Sequence, residues 1–125
     1  MASEGFHEPL DLLDEATFDY HRAMTSLCEE LEAIDWYHQR VQATADESLA
    51  AVLAYNRDDE KEHAAMTLEW LRRRDPALDQ HLRTYLFTEG PVVGIEKEAE
   101  GESVGDDLPD SAQSLGIGNL RGVAR

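Results

Sequence analysis

The sequence holds a single cysteine, Cys28, so no disulfide can form within the chain. That suits a reducing cytoplasm. Basic residues are scarce: 11 Lys and Arg face 27 Asp and Glu, a formal net charge of −16. Nucleic acid and anionic membrane surfaces both demand dense positive charge, so the balance argues against either partner. It suits metal cations or a basic protein. No apolar run approaches the length of a membrane span, and "MASEGFHEPL" lacks the basic and apolar regions of a signal peptide. No convincing strand is present, nor a glycine-rich phosphate loop.

What is present is helical periodicity. Leu10, Leu13, Thr17, Tyr20, Met24, Leu27, Leu31 and Ile34 recur every three or four residues. Pro9 suits a first turn, so a long helix is expected from about Glu8 to about Val41. "QATADES" breaks it, and Thr44 or Asp46 can cap a second helix. That helix is expected from Asp46 to Arg74, where Pro76 stops it. A third is expected from Ala77 to Thr88, with Gly90 taking a left-handed turn. Residues 1–96 thus read as a helical hairpin domain. Residues 97–113 are acidic and poor in apolar side chains, and read as a disordered linker. Residues 114–125 form a short apolar tail. The expected class is all-α: an antiparallel two-helix hairpin with a shorter third helix. Dimerisation would complete a four-helix bundle.

The chemistry sits in "RDDEKEHAAM", residues 57–66. Glu60 and His63 are spaced i, i+3, so they share one helix face, and that face is the inward stripe. If the hairpin turns near Ala45, residues at one height have numbers summing to about 90, which sets Glu30 level with Glu60. A carboxylate on a buried stripe is costly without compensation. No Lys or Arg occupies the matching inward position, and Arg57 and Lys61 are expected on the solvated face. A divalent cation held by carboxylate oxygen and imidazole nitrogen is the better match. One Glu helix and one Glu-x-x-His helix make half of a di-metal carboxylate bundle, so a second copy would supply the other half. Glu29 and Glu32 could form an acidic approach. Tyr37 could hydrogen-bond a ligand carboxylate, while Met24 and Met66 read as core.

These residues resemble a family. "HEPL", "EELEAIDWYHQR", "NRDDEKEHAAMTLEWLRR" and "HLRTYLFTEGP" resemble the encapsulated ferritins, cargo proteins of encapsulin nanocompartments, across Phe6 to Ile95. "SLGIGNLRG" is similar to the peptides that dock cargo on the shell wall, with Leu115, Gly116, Ile117, Gly118 and Leu120 as its contacts. The resemblance implies a ferroxidase that oxidises Fe(II) with O2 at a di-iron centre in a homodimer interface. It implies Glu60 as bridging ligand, with Glu30 and His63 as terminal ligands. It also implies metal at Glu29 and Glu32 near Trp36, and calcium at accessory acidic positions. The expected assembly is an annular homodecamer in the lumen of an encapsulin shell, inside a prokaryotic cytoplasm. Asp59 departs from the Glu expected there, which puts an outer metal site in doubt. Two other readings stand beside this one. The chain could be a non-catalytic metal-binding cargo or adaptor, or a helical interaction module in which Glu60 and His63 are only polar seam residues.

Overall fold

The computed structural model describes residues 5–104, and these divide into two units at Pro76/Ala77. The first unit is a helical hairpin. Helix α1 spans Glu15–Ala43 and α2 spans Glu47–Arg74. Neither contains Gly or Pro, so nothing interrupts the backbone ladder. Asp14 caps α1 by accepting from the Thr17 N–H at 2.8 Å, and Asp46 caps α2 by accepting from the Leu49 N–H at 3.1 Å. Thr44 closes α1, and its hydroxyl accepts from the Asp46 N–H at 3.1 Å, which tightens the turn.

The start of α1 differs from expectation. Leu10–Leu12 form a 3-10 turn, Leu13 is extended, and the α-helix begins only at Glu15. Pro9 therefore opens the 3-10 turn, and Asp14, which can satisfy an orphan amide, sets the true start. Before that turn the chain lies along α1. The Phe6 ring packs 4.2 Å from the His21 ring and edge-on to Phe18 at 5.8 Å. His21 is thus half-buried against Phe6. A Cβ on Gly5 would come within 2.9 Å of His21 Cε1, so that approach needs glycine.

The core between α1 and α2 is thin. Among the described residues only Ala64 and Leu71 are fully buried, Leu71 at 1 % exposure. Met24 and Met66, expected in the core, are 40 % and 65 % exposed. Leu31 and Val52 are exposed too. Two helices can bury only the stripe where they touch, so the rest of each apolar seam stays uncovered within one chain.

The second unit begins at Ala77. Helix α3, Pro76–Tyr85, carries proline at its first position, where a missing N–H costs nothing. It ends three residues before the expected Thr88. Leu86 still donates to Leu82 O at 2.9 Å, Phe87 turns left-handed at φ 62°, and the Thr88 hydroxyl donates to Tyr85 O at 2.6 Å. Gly90 is left-handed as expected, at φ 89°. Helix α4 spans Val92–Val104. It crosses the point, Lys97, where a disordered linker was expected to begin. The stretch Glu96–Glu100 is made of good helix formers, which outweighed its acidity. Burial first, then the nearby Glu96 and Glu100 carboxylates, push the Tyr85 phenol above its ordinary value. The tail residues Leu115, Gly116, Ile117, Gly118 and Leu120 lie outside the described residues. Among the described residues no helix is long and apolar enough to cross a membrane.

Candidate metal centre

The two long helices place their polar groups by register. Among the described residues, side-chain bonds run from α1 to α2 and its cap Asp75. Tyr20 Oη donates to Asp75 Oδ2 at 2.7 Å, Arg57 Nη1 lies 3.0 Å from His38 Nδ1, and Thr67 Oγ1 donates to Glu30 Oε1 at 3.1 Å. The residue numbers of these pairs sum to 95, 95 and 97, against the expected 90. Helical side chains lean toward their own N-terminus. In an antiparallel pair that lean moves α1 tips away from the turn and α2 tips toward it, so contacting residues have a larger sum. Glu30 therefore meets Thr67, about two turns past Glu60.

Glu60 and His63 do come together. Glu60 Oε1 lies 3.4 Å from His63 Nδ1, and His63 Nε2 lies 3.6 Å from Asp59 Oδ2. The Glu60 side chain is 27 % exposed and His63 is 46 % exposed. The imidazole thus stands between two carboxylates, of which Glu60 is the less exposed and Asp59, at 48 %, the more exposed. Among the described residues no Lys or Arg forms an ion pair with Glu30 or Glu60. The neighbouring cations are engaged elsewhere: Arg57 Nε and Lys61 Nζ each lie 3.1 Å from Asp58 Oδ1. Those two bonds hold the Asp58 carboxyl below its ordinary value. Lys61 is on the solvated face, as expected. Arg57 is not: its side chain is 19 % exposed and reaches across to His38. A long guanidinium stem can lie along the helix contact while its fork finds acceptors at the edge.

The remaining candidates are more dispersed. Glu29 and Glu32 are exposed on α1. Trp36 is exposed, and Tyr37 is half-buried with the Arg40 guanidinium 5.5 Å from its ring centroid. Among the described residues of one chain, no group of three or more His, Cys, Asp or Glu could hold a metal ion, so the accessory calcium positions gain no support. Glu30, Glu60 and His63 supply oxygen and nitrogen donors suited to a first-row divalent cation. Within one chain they fall into two separate pairs, Glu30 with Thr67 and Glu60 with His63. The sequence reading missed Thr67 as a partner of Glu30, because that contact depends on cross-helix register. Beside Thr67 runs a groove of about 430 Å³, lined also by Asp19, Arg22, Ser26, Met66 and Trp70.

Known proteins share this chain's pattern. The EncFtn-like family matches residues 5–89. An encapsulated ferritin-like protein of Rhodospirillum rubrum is 57 % identical over 99 % of this chain and 93 % of its own. A ferritin-like protein of Thermotoga maritima is 52 % identical over 85 % of this chain and 95 % of its own. The encapsulin nanocompartment cargo protein EncC of Myxococcus xanthus is 34 % identical over 74 % of this chain and 76 % of its own. Among solved structures, protein ne0167 from Nitrosomonas europaea superposes with a TM-score of 0.68 at 59 % identity, over 70 % of this chain and 97 % of that one. A Glu-x-x-His pair with a half-buried Glu60 and an exposed His63 on a bare two-helix hairpin, joined to identities of this size, identifies the chain as a member of the EncFtn-like family of encapsulated ferritin-like proteins.

Proposed function

We propose that this protein is a ferroxidase carried as cargo inside an encapsulin shell, where it delivers oxidised iron for storage. The observation that carries the reading is Glu60. It is a half-buried carboxylate on α2, with no Lys or Arg ion pair among the described residues and an imidazole beside it. Such a group calls for a cation. Membership in a family of encapsulated ferritin-like proteins supports iron as that cation and a shell as its surroundings.

In this reading Fe(II) is the substrate and O2 accepts its electrons. Two hairpins pair about a two-fold axis, and each supplies Glu30, Glu60 and His63 to one di-iron centre. The uncovered apolar positions Met24, Leu31, Val52 and Met66 support such pairing, because isolated faces of this kind seldom stay in water. Five such dimers closing a ring is the assembly implied by the resemblance, and native mass spectrometry of ten chains is its expected readout. Carboxylate oxygens of Glu30 and Glu60 favour the harder Fe(III) product over Fe(II), which draws the reaction forward. His63 must be neutral and the carboxylates ionised to bind, so oxidation falls in acid. Glu29 and Glu32 supply an acidic approach that concentrates the cation, with Trp36 near it and Tyr37 supporting a ligand carboxylate. The tail, residues 114–125, docks on the shell wall through Leu115, Ile117 and Leu120.

Oxygen uptake on adding Fe(II) tests the chemistry. The wild-type protein consumes O2, and Glu60→Ala/His63→Ala does not. A non-catalytic metal-binding cargo would bind Fe(II) with no uptake in either protein. Deleting residues 114–125 tests the location: oxidation persists and loading into shells is lost. A truncated protein that still loads refutes the docking role.

A further inference from the structure

Thr67 makes two contacts, and only one of them belongs to an ordinary helical threonine. Its hydroxyl lies 3.1 Å from Glu30 Oε1 on α1 and 3.1 Å from the His63 carbonyl one turn back on α2. A hydroxyl has one proton to donate. Threonine in a lone helix gives it to the carbonyl four residues back. Here a carboxylate stands at equal distance, and a charged acceptor attracts the proton more strongly than a neutral one. The stronger bond therefore runs between helices, to Glu30.

That bond has a consequence for the carboxylate. Oε1 of Glu30 is occupied by the hydroxyl, and Oε2 remains for another partner. Glu30 is half-buried, and one neutral hydrogen bond does not offset the desolvation of a full charge. The carboxylate is thus oriented yet still short of positive charge. Thr67 also borders the groove of about 430 Å³. Since Thr67 itself sits one turn past His63 on α2, its bond to Glu30 ties that carboxylate to the helix segment that carries His63.

We infer that Thr67 is a positioning residue: its hydroxyl holds Glu30 Oε1 in register with the His63 turn and leaves Oε2 to meet the metal. This rests on the reading of Glu30, Glu60 and His63 as metal ligands. A partner of a ligand that is lost weakens metal binding by about 10- to 100-fold in comparable sites.

The test uses the full-length assembled protein and Co(II), a probe that binds through the same donors without being oxidised by the site. Visible absorption follows binding, and circular dichroism checks the fold. Thr67→Val keeps the shape and removes the donor. It should weaken Co(II) binding about 10-fold or more. Thr67→Ser restores the donor without the methyl group and should bind within about 2-fold of wild type. With Fe(II), Thr67→Val should raise KM and leave kcat nearly unchanged, because the ligands themselves are intact. Wild-type affinity in Thr67→Val overturns the proposal. So does a Thr67→Ser loss as large as that of Thr67→Val, which would assign the effect to methyl packing. If Thr67→Val fails to fold, the Co(II)-bound crystal structure of the wild type decides. Glu30 Oε1 should stay within about 3.2 Å of Thr67 Oγ1 while Oε2 ligates; a Glu30 that has left Thr67 refutes it. Glu30→Ala separates the two levels. If it loses Co(II) and Thr67→Val does not, only the positioning role fails. If Glu30→Ala also binds normally, the ligand reading itself fails.

Discussion

Glu60 and Glu69 lie on the same helix in similarly charged surroundings, yet their surroundings use them differently. Glu69 is enclosed by arginine. Arg72 Nη2 and Arg73 Nε each lie 2.7 Å from its Oε2, and Arg72 Nε lies 2.8 Å from Oε1. Those bonds hold its carboxyl down to about 2. Among the described residues, the ion-pair partner of Glu60 is His63, at 3.4 Å. A charge-dense helix can therefore carry an arginine-paired carboxylate and one without a Lys or Arg ion pair within three turns. What separates them is the partner within reach: guanidinium groups pair with Glu69, while Glu60 has an imidazole beside it.

The comparison can be broken most directly by exchanging activities. Glu60→Ala should reduce Fe(II)-dependent oxygen uptake to the uncatalysed background, and Glu69→Ala should leave it unchanged; equal losses would erase the distinction. The next effect is on stability. Leu71, at 1 % exposure, belongs to the structural end of α2, and Leu71→Ala should cost about 3 kcal/mol in chemical denaturation. Tyr20→Phe removes the bond to Asp75 and should cost about 1 kcal/mol with oxygen uptake intact. The smallest effect is that of Glu69→Gln, since exposed ion pairs contribute little. Its sign is nevertheless defined. The Glu69 carboxyl titrates lower in the folded chain than in the unfolded one. Its contribution is fully present above the ordinary glutamate value and is lost as pH falls toward about 2. Thermal melts of Glu69→Gln should thus lie slightly below wild type at neutral pH and converge with it in acid. A gap that widens in acid contradicts the arginine pairing.

Much of the hairpin is legible in the sequence because its signals are local. Asp46 and Pro76 bracket α2 to within a residue, and Glu60 and His63 meet because i, i+3 spacing guarantees it. Signals that need a neighbour were harder to read. Pro9 and the acids after it fit either an α-helix start or a 3-10 turn, and only the bond from Thr17 N–H to Asp14 decides. The pairing of Glu30 with Thr67 depends on how side chains lean between helices, which counting residues from the turn ignores. The exposure of Met24 and Met66 follows from how narrow a stripe two helices can cover, which periodicity along one helix does not report.

The bond between Tyr20 and Asp75 has a mechanical meaning. The hairpin is a pair of tongs whose pivot is the Thr44–Asp46 turn, and Tyr20 stands about 35 Å from that pivot, near the open ends of the arms. Glu30 stands about 20 Å from it. A clasp at the tips resists spreading with the greatest leverage, so a single phenol can limit the play at Glu30, farther in. The gap between the arms at Glu30 is then set from both ends, by the pivot and by the clasp.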